Sequence, residues 1–343
     1  MGTEMSAVAG GGRHVGAFQS STSKKRYWLI LAVLAVIAAA SAWGLLAYQN
    51  PMEFGTRGYW LIAERRANSV LVMALVAVCQ GMATVAFHTV TGNRIITPSI
   101  MGFEALYVAI HTSTVYFFGA AGLINARTLD MFILQLVVMV GFTLLLYSWL
   151  LTGENNMHAM LLIGVVIGGG LASLSTFMQR MLAPSEFDVL TARLFGSVNN
   201  ADPQYFPVAI PLALGAALLL YVHSRTLNVL ALGREPAVNL GVNHRAHAIY
   251  VLVLVSVLMA ISTALVGPMT FLGFLVATLA YQFADTYDHR YIFPMATLIG
   301  FVVLTGSYFV MNHIFYAQGI VSIIIELVGG LVFLAVILRK GTL

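Results

Sequence analysis

The chain has 343 residues, of which 59% are hydrophobic and only 9% charged, whereas ordinary soluble domains carry about a quarter charged residues. A membrane span needs about 20 apolar residues, so this length holds about ten spans with modest loops and excludes a large soluble domain. The formal charge of +4 gives no argument for a nucleic-acid partner, and the single Cys79 excludes an intrachain disulfide and a structural cysteine metal centre.

Residues 1–23 are rich in Gly, Ser and Ala, show no apolar period and read as a disordered tail. Lys24, Lys25 and Arg26 then precede a span too long for the h-region of a signal peptide. The membrane domain occupies 24–343, with spans expected at 27–48, 68–89, 100–118, 129–151, 157–181, 205–222, 248–266, 271–284, 293–311 and 319–338. A loop at 49–67, a tight turn at 91–99, a polar loop at 183–204 and a charged patch at 285–290 separate them. With an inside N-terminus, eleven of the 17 basic residues fall on the inner side and six on the outer, so the positive-inside rule places both termini in the cytoplasm.

One interruption differs from the others. Residues 224–247 read S-R-T-L-N-V-L-A-L-G-R-E-P-A-V-N-L-G-V-N-H-R-A-H. Leu227, Leu230 and Leu232, then Ala237, Leu240 and Val242, recur at roughly helical spacing. Gly233 and Gly241 punctuate the run, and Pro236 stands where a first helical turn tolerates proline. The pattern predicts two short amphipathic helices on the membrane surface that offer a small-residue face, centred on Ala237, to a partner. An ordinary basic membrane-proximal turn is the alternative.

Chemistry inside the spans is sparse. His88, Glu104, His111 and Glu326 are the ionisable groups, each read as satisfied by a neighbouring helix rather than as part of a relay. No H-E-x-x-H, G-x-S-x-G or metal-ligand spacing occurs, so no enzyme and no metal site are expected. A phosphate-binding loop needs a lysine in a glycine-rich turn, and the only lysines are Lys24, Lys25 and Lys340. Energy for uphill transport must therefore come from a partner or an ion gradient. The docking-like loop favours a partner. The competing reading is a self-sufficient secondary carrier or channel using Glu104, His111 or Glu326.

Five stretches carry a family resemblance: N-R-I-I-T-P-S-I-M-G-F-E-A-L-Y at 93–107, A-L-G-R-E-P-A-V-N-L-G-V at 231–242, G-P-M-T-F-L-G-F at 267–274, D-H-R-Y-I-F-P at 288–294 and G-G-L-V-F at 329–333. In this order they resemble the FecCD-type iron-chelate permeases of ABC importers for ferric siderophores, haem and vitamin B12. The S-T-F-M-Q-R and P-S-E-F pieces near 175–187 are similar to the ferric-siderophore branch. The resemblance implies an all-α polytopic protein of type II importer architecture in a bacterial cytoplasmic membrane. It implies a second homologous permease subunit (a heterodimer, with a homodimer as the alternative), two ATPase subunits that hold ATP and Mg, and an outer substrate-binding protein. No cofactor is expected on this chain.

Residue roles follow from the same resemblance. Leu232, Gly233, Arg234, Glu235, Ala237, Leu240 and Gly241 would couple to the ATPase. Arg65 and Arg66 would dock the binding protein, although relatives' R-L-P-R reads R-A-N-S here and the third such arginine aligns with Met311. Gly164, Gly168, Ala172 and Ser175 form a small-residue stripe in the fifth span, with Met178 beside it. This stripe is read either as close helix packing or as a smooth pathway wall for a bulky chelate. Asn155, Asn156 and His158 are the gate candidates.

Overall fold

The computed structural model describes residues 16–48, 50–151, 157–313 and 321–340. Among them are thirteen α-helices and no strand: α1 (Ser21–Ala47), α2 (Arg57–Thr91), α3 (Phe103–Asn125), α4 (Leu129–Leu151), α5 (Met157–Gln179), α6 (Pro184–Leu194), α7 (Phe206–Val222), α8 (Ser224–Leu230), α9 (Arg234–Asn239), α10 (His244–Val266), α11 (Leu272–Ala284), α12 (His289–His313) and α13 (Val321–Lys340). Eight are long and apolar enough to cross a membrane. α11 and α13 contribute two shorter apolar segments, so ten apolar helices match the ten expected spans. At 1.5 Å per residue, the 13 residues of α11 cover only about 20 Å of a ~30 Å hydrocarbon core.

Capping fixes several boundaries. The Ser20 side chain accepts from Ser23 N at 3.0 Å and starts α1. Thr56 does the same for Tyr59 N and starts α2, eleven residues earlier than hydropathy suggests. Asn243 accepts from Ala246 N at 3.1 Å and starts α10. The expected disordered tail is corrected in its last part. Residues 1–15 lie outside the described residues, but from Gly16 the chain is ordered against its neighbours. Phe18 packs between the rings of Tyr27 and Tyr291, and Thr286 Oγ1 donates to Ala17 O.

α2 and α10 run through the middle, buried over most of their length, with α12, α4 and α7 around them. Lipid tails are as apolar as leucine, so helices associate through close packing rather than water exclusion. The α2–α12 crossing shows this: a Cβ on Gly81 would stand 3.2 Å from the Ala296 backbone, and one on Gly300 would stand 3.2 Å from Ala77 Cβ.

α6 lies in the polar loop at 183–204, where hydropathy signals no helix. Pro184 at its first position and Glu186, whose carboxylate accepts from Ala183 N at 3.3 Å, start it. Beyond it, Phe195–Ser197 crosses the α10–α11 turn. Ser197 N donates to Val266 O at 2.7 Å, and Ser322 N donates to Gly196 O at 3.3 Å.

Gly196 fits this crossing because a Cβ there would collide with Pro268 O, a backbone atom. Gly196→Ala should cost about 1–3 kcal/mol as overpacking and lower the melting temperature in detergent. Gly215→Ala, with no heavy atom within 4 Å of the added carbon, should not. Equal melting temperatures for the two variants would contradict this packing.

Candidate functional site

α8 and α9 lie at the end of the bundle where α1 begins and α2 finishes. α8 is held by Leu227 and Leu230, both buried in the main core. Gly233 (φ 94°) lets the chain turn into α9. α9 ends in a Schellman motif: Val242 N donates to Ala237 O at 2.9 Å, Gly241 N to Val238 O at 2.9 Å, and Gly241 has φ 80°. The two expected helices are present, as is the glycine punctuation. The expected face is corrected. Ala237 has 0% exposure and points into the chain, whereas Leu232, Val238 and Leu240 are 55–62% exposed. The helix must bury one side to stay seated, and the smallest residue sits on that side. Gly233, Arg234, Glu235 and Gly241 are exposed with the apolar three. The presented surface is therefore an apolar patch with charges beside it.

A polar network anchors this platform to the spanning helices. Asn228 in α8 donates from Nδ2 to Asp288 Oδ1 at 3.1 Å. Its Oδ1 accepts from His289 N at 3.0 Å and from His289 Nδ1 at 2.6 Å. His289 Nε2 reaches Thr89 Oγ1 of α2 at 2.7 Å. Asp288, 3% exposed, forms an ion pair with Arg290 at 2.6 Å. Burial pushes the Asp288 carboxyl up, but hydrogen bonds from Arg290 and Asn228 outweigh it and hold the group below its ordinary value. Beside the network, the Arg94 guanidinium carbon lies 4.6 Å from the Tyr281 ring centroid. Sequence reading saw only a charged patch at 285–290. Asn228 carried no signal, because an amide between leucines gives no hint of a partner 60 residues away.

At the opposite end, Arg66, which the resemblance assigns to docking, is engaged within the chain. Its Nη1 donates to Tyr48 O at 2.7 Å and to Leu45 O and Leu46 O at 3.3 and 3.4 Å. It caps the carbonyls that α1 leaves unpaired at its C-terminus. Arg65, one residue earlier, is exposed.

Of the two readings of the α5 stripe, close helix packing is the one the geometry shows. Gly164, Gly168, Ser175 and Met178 are buried. A Cβ on Gly164 would stand 3.2 Å from Met101 Cε, and one on Gly168 would stand 3.3 Å from Gly102 Cα. This is the packing face of α5 against the 3-10 turn Pro98–Met101 and α3. Ala172 is on the other face, exposed with Val165, Val166, Gly169, Gly170, Ser173 and Phe177. Asn155 and Asn156 lie outside the described residues, and His158 sits in the first turn of α5.

The membrane-embedded ionisable groups do not form one relay. Glu104 Oε2 accepts from Thr270 Oγ1 at 2.5 Å, His111 Nδ1 lies 3.0 Å from Tyr107 O, and His88 Nδ1 lies 3.3 Å from Tyr281 OH. Glu104 and His88 each meet a residue of another segment, as expected from the sequence, whereas the partner of His111 is a carbonyl of its own helix and Glu326 is exposed, so the expectation does not hold for all four. Among the described residues, no group of three His, Cys, Asp or Glu could hold a metal ion.

The network sets an acid limit. With its folded pKa lowered, Asp288 stabilises the fold fully above the unfolded carboxyl value of about 3.9 and loses that contribution as pH falls through the folded value. Asp288→Asn should lower the melting temperature at pH 7 and flatten its fall below about pH 4. An unchanged acid profile would place the carboxylate outside the stabilising network.

The arrangement thus consists of an anchored surface platform with an exposed apolar patch, joined to a ten-helix bundle. The model of the FecCD transport family matches residues 27–339. The petrobactin import system permease protein FatC of Bacillus anthracis is 54% identical over 332 residues, covering 96% of this chain and 94% of the relative. The petrobactin import system permease protein YclO of Bacillus subtilis (strain 168) is 36% identical over 290 residues, 84% of this chain and 91% of the relative. Among solved structures, an inward-facing metal-chelate type ABC transporter superposes with a TM-score of 0.75 at 20% identity, covering 91% of this chain and 99% of that one. Its fold is the one described above, and the chain belongs to the FecCD transport family.

Proposed function

We propose that this chain is the membrane-spanning permease subunit of an ATP-binding cassette importer that carries a ferric siderophore across the cytoplasmic membrane. It is a transport subunit and not an enzyme. The 54% identity to FatC over nearly the full length supports a siderophore of the petrobactin type as the load. In this reading the termini face the cytoplasm, and α8–α9 receives one of two ATPase subunits that hold ATP and Mg. A second, homologous permease completes the pathway, and a binding protein delivers the chelate at the Arg65 end. The exposed faces of α5 and α13, including Ala172, Phe177, Leu327 and Leu331, are the surfaces left for the second permease and the load.

The observation that carries the coupling role is the patch of Leu232, Val238 and Leu240, exposed on α9 and the turns at its two ends and tied to the bundle through α8. An apolar patch held in place on a charged platform suits a protein cleft better than water. Leu232→Asp with Leu240→Asp should leave the permease folded in the membrane and lower ATPase retention on co-purification by about tenfold or more, since each 1.4 kcal/mol is a factor of ten. Siderophore uptake should fall with it. Normal retention with intact uptake would overturn the assignment. Ala237→Trp should also stop uptake, but by unseating α9, so the variant chain itself should become more protease-sensitive around residues 231–242.

A further inference from the structure

A recess unrelated to the coupling platform opens between α3, α4, α6, α10 and the 3-10 turn Pro203–Tyr205. It encloses about 170 Å³, room for roughly five waters at ~30 Å³ each, or for one small polyatomic ion. Arg193 of α6 forms part of its wall and is 7% exposed. Of the five N–H donors on a guanidinium, Nη1 alone has a partner among the described residues, Asn200 O at 2.9 Å. Arg127 stands at the rim, exposed. Neither arginine forms an ion pair with a described carboxylate, and no lining residue is acidic.

Of the remaining polar lining, His111 Nδ1 lies against Tyr107 O and Thr114 Oγ1 donates to Ile110 O, which leaves Gln135 and Tyr205. Gln135 has only a long contact from Nε2 to Met139 Sδ at 4.0 Å, so its amide is available to donate. Tyr205 is fixed by stacking on Phe132, with ring centroids 4.5 Å apart and planes 5° apart. Gln204 Nε2 donates to Arg127 O at 3.0 Å and pins the α3–α4 loop over the recess. On the α4 side the wall is Met131, Leu134 and Val138, all exposed to the surroundings of the bundle. A buried guanidinium at a site of low dielectric is costly unless an anion or several acceptors meet it. Two guanidiniums, an amide donor and an apolar flank make a site for a charged head with a greasy neighbour.

We propose that this recess binds a phosphate-type oxyanion between Arg127 and Arg193, supplied by a phospholipid headgroup beside α4 or by free phosphate. Bound there, the ion ties α6 to the α3–α4 loop. It steadies the outer half of the bundle without touching α8–α9.

The test uses the full chain, purified and delipidated in a non-ionic detergent, with melting temperature and native mass as readouts. The probes are inorganic phosphate against chloride at equal ionic strength, and dihexanoyl phosphatidylglycerol against the matching diacylglycerol. Saturable stabilisation by phosphate assigns a free-anion site. Stabilisation by phosphatidylglycerol alone, with a bound lipid mass, assigns a headgroup site. In either case Arg193→Gln should weaken half-saturation about tenfold or more. Because Arg193 also holds Asn200 O, Gln135→Phe provides a second variant that fills the recess without removing that bond, and it should abolish the stabilisation. No response to either probe, or an undiminished response in a folded Gln135→Phe variant, would overturn the proposal and leave Arg193 solvated by water only.

Discussion

The side-chain amide of Asn228 joins a helix that does not span to two that do. Its Nδ2 meets Asp288, its Oδ1 meets His289, and His289 reaches Thr89 of α2. Both functions of the amide are used, so the side chain has one orientation and α8 one seat. Leu227 and Leu230 supply apolar burial beneath it. α9 then projects from a rigid base, and only its outer residues remain for a partner.

From the other side the same turn is gripped by the N-terminal segment. Tyr287 OH donates to Gly16 O at 3.3 Å, and Tyr27 OH donates to Tyr291 O at 3.0 Å. The α11–α12 turn is therefore a hub for three parts of the chain distant in sequence. Its geometry includes Asp285 in a left-handed conformation, φ 46°, a backbone state that costs a non-glycine residue energy and holds only where the surroundings impose it.

The helices themselves were legible because lipid forces the backbone to satisfy its own hydrogen bonds, and long apolar runs then have one solution. Helix faces were less legible. The periodicity of 224–247 gave two helices and their glycine stops, but a small residue can be small to admit a partner or to sit against its own chain, and Ala237 does the latter. The stripe on α5 poses the same ambiguity, and Gly164 and Gly168 resolve it by meeting Met101 and Gly102. The resemblance gives Arg66 a docking role by its place in a matched stretch, and a matched stretch does not name the carbonyls of Leu45 and Tyr48 that its guanidinium meets. α6 was missed because hydropathy is silent in a polar loop, although Pro184 with Glu186 is a helix-start signal. These errors share one cause: burial within the chain depends on tertiary neighbours that a periodic pattern does not name.

The energy source is the claim on which the functional account rests, since a chain without a phosphate-binding loop must take its drive from a partner or an ion gradient, and Glu104, His88 and His111 bond to separate neighbours rather than to one another. Reconstitution into liposomes with and without the partner subunits measures it directly, with ferric siderophore uptake followed under either ATP or an imposed proton or sodium gradient. The account predicts uptake only when the ATPase, its ATP and the second permease are present, and none from a gradient across liposomes holding this chain alone. Gradient-driven uptake by the chain alone would contradict it and return Glu104, His111 and Glu326 to the centre of the mechanism.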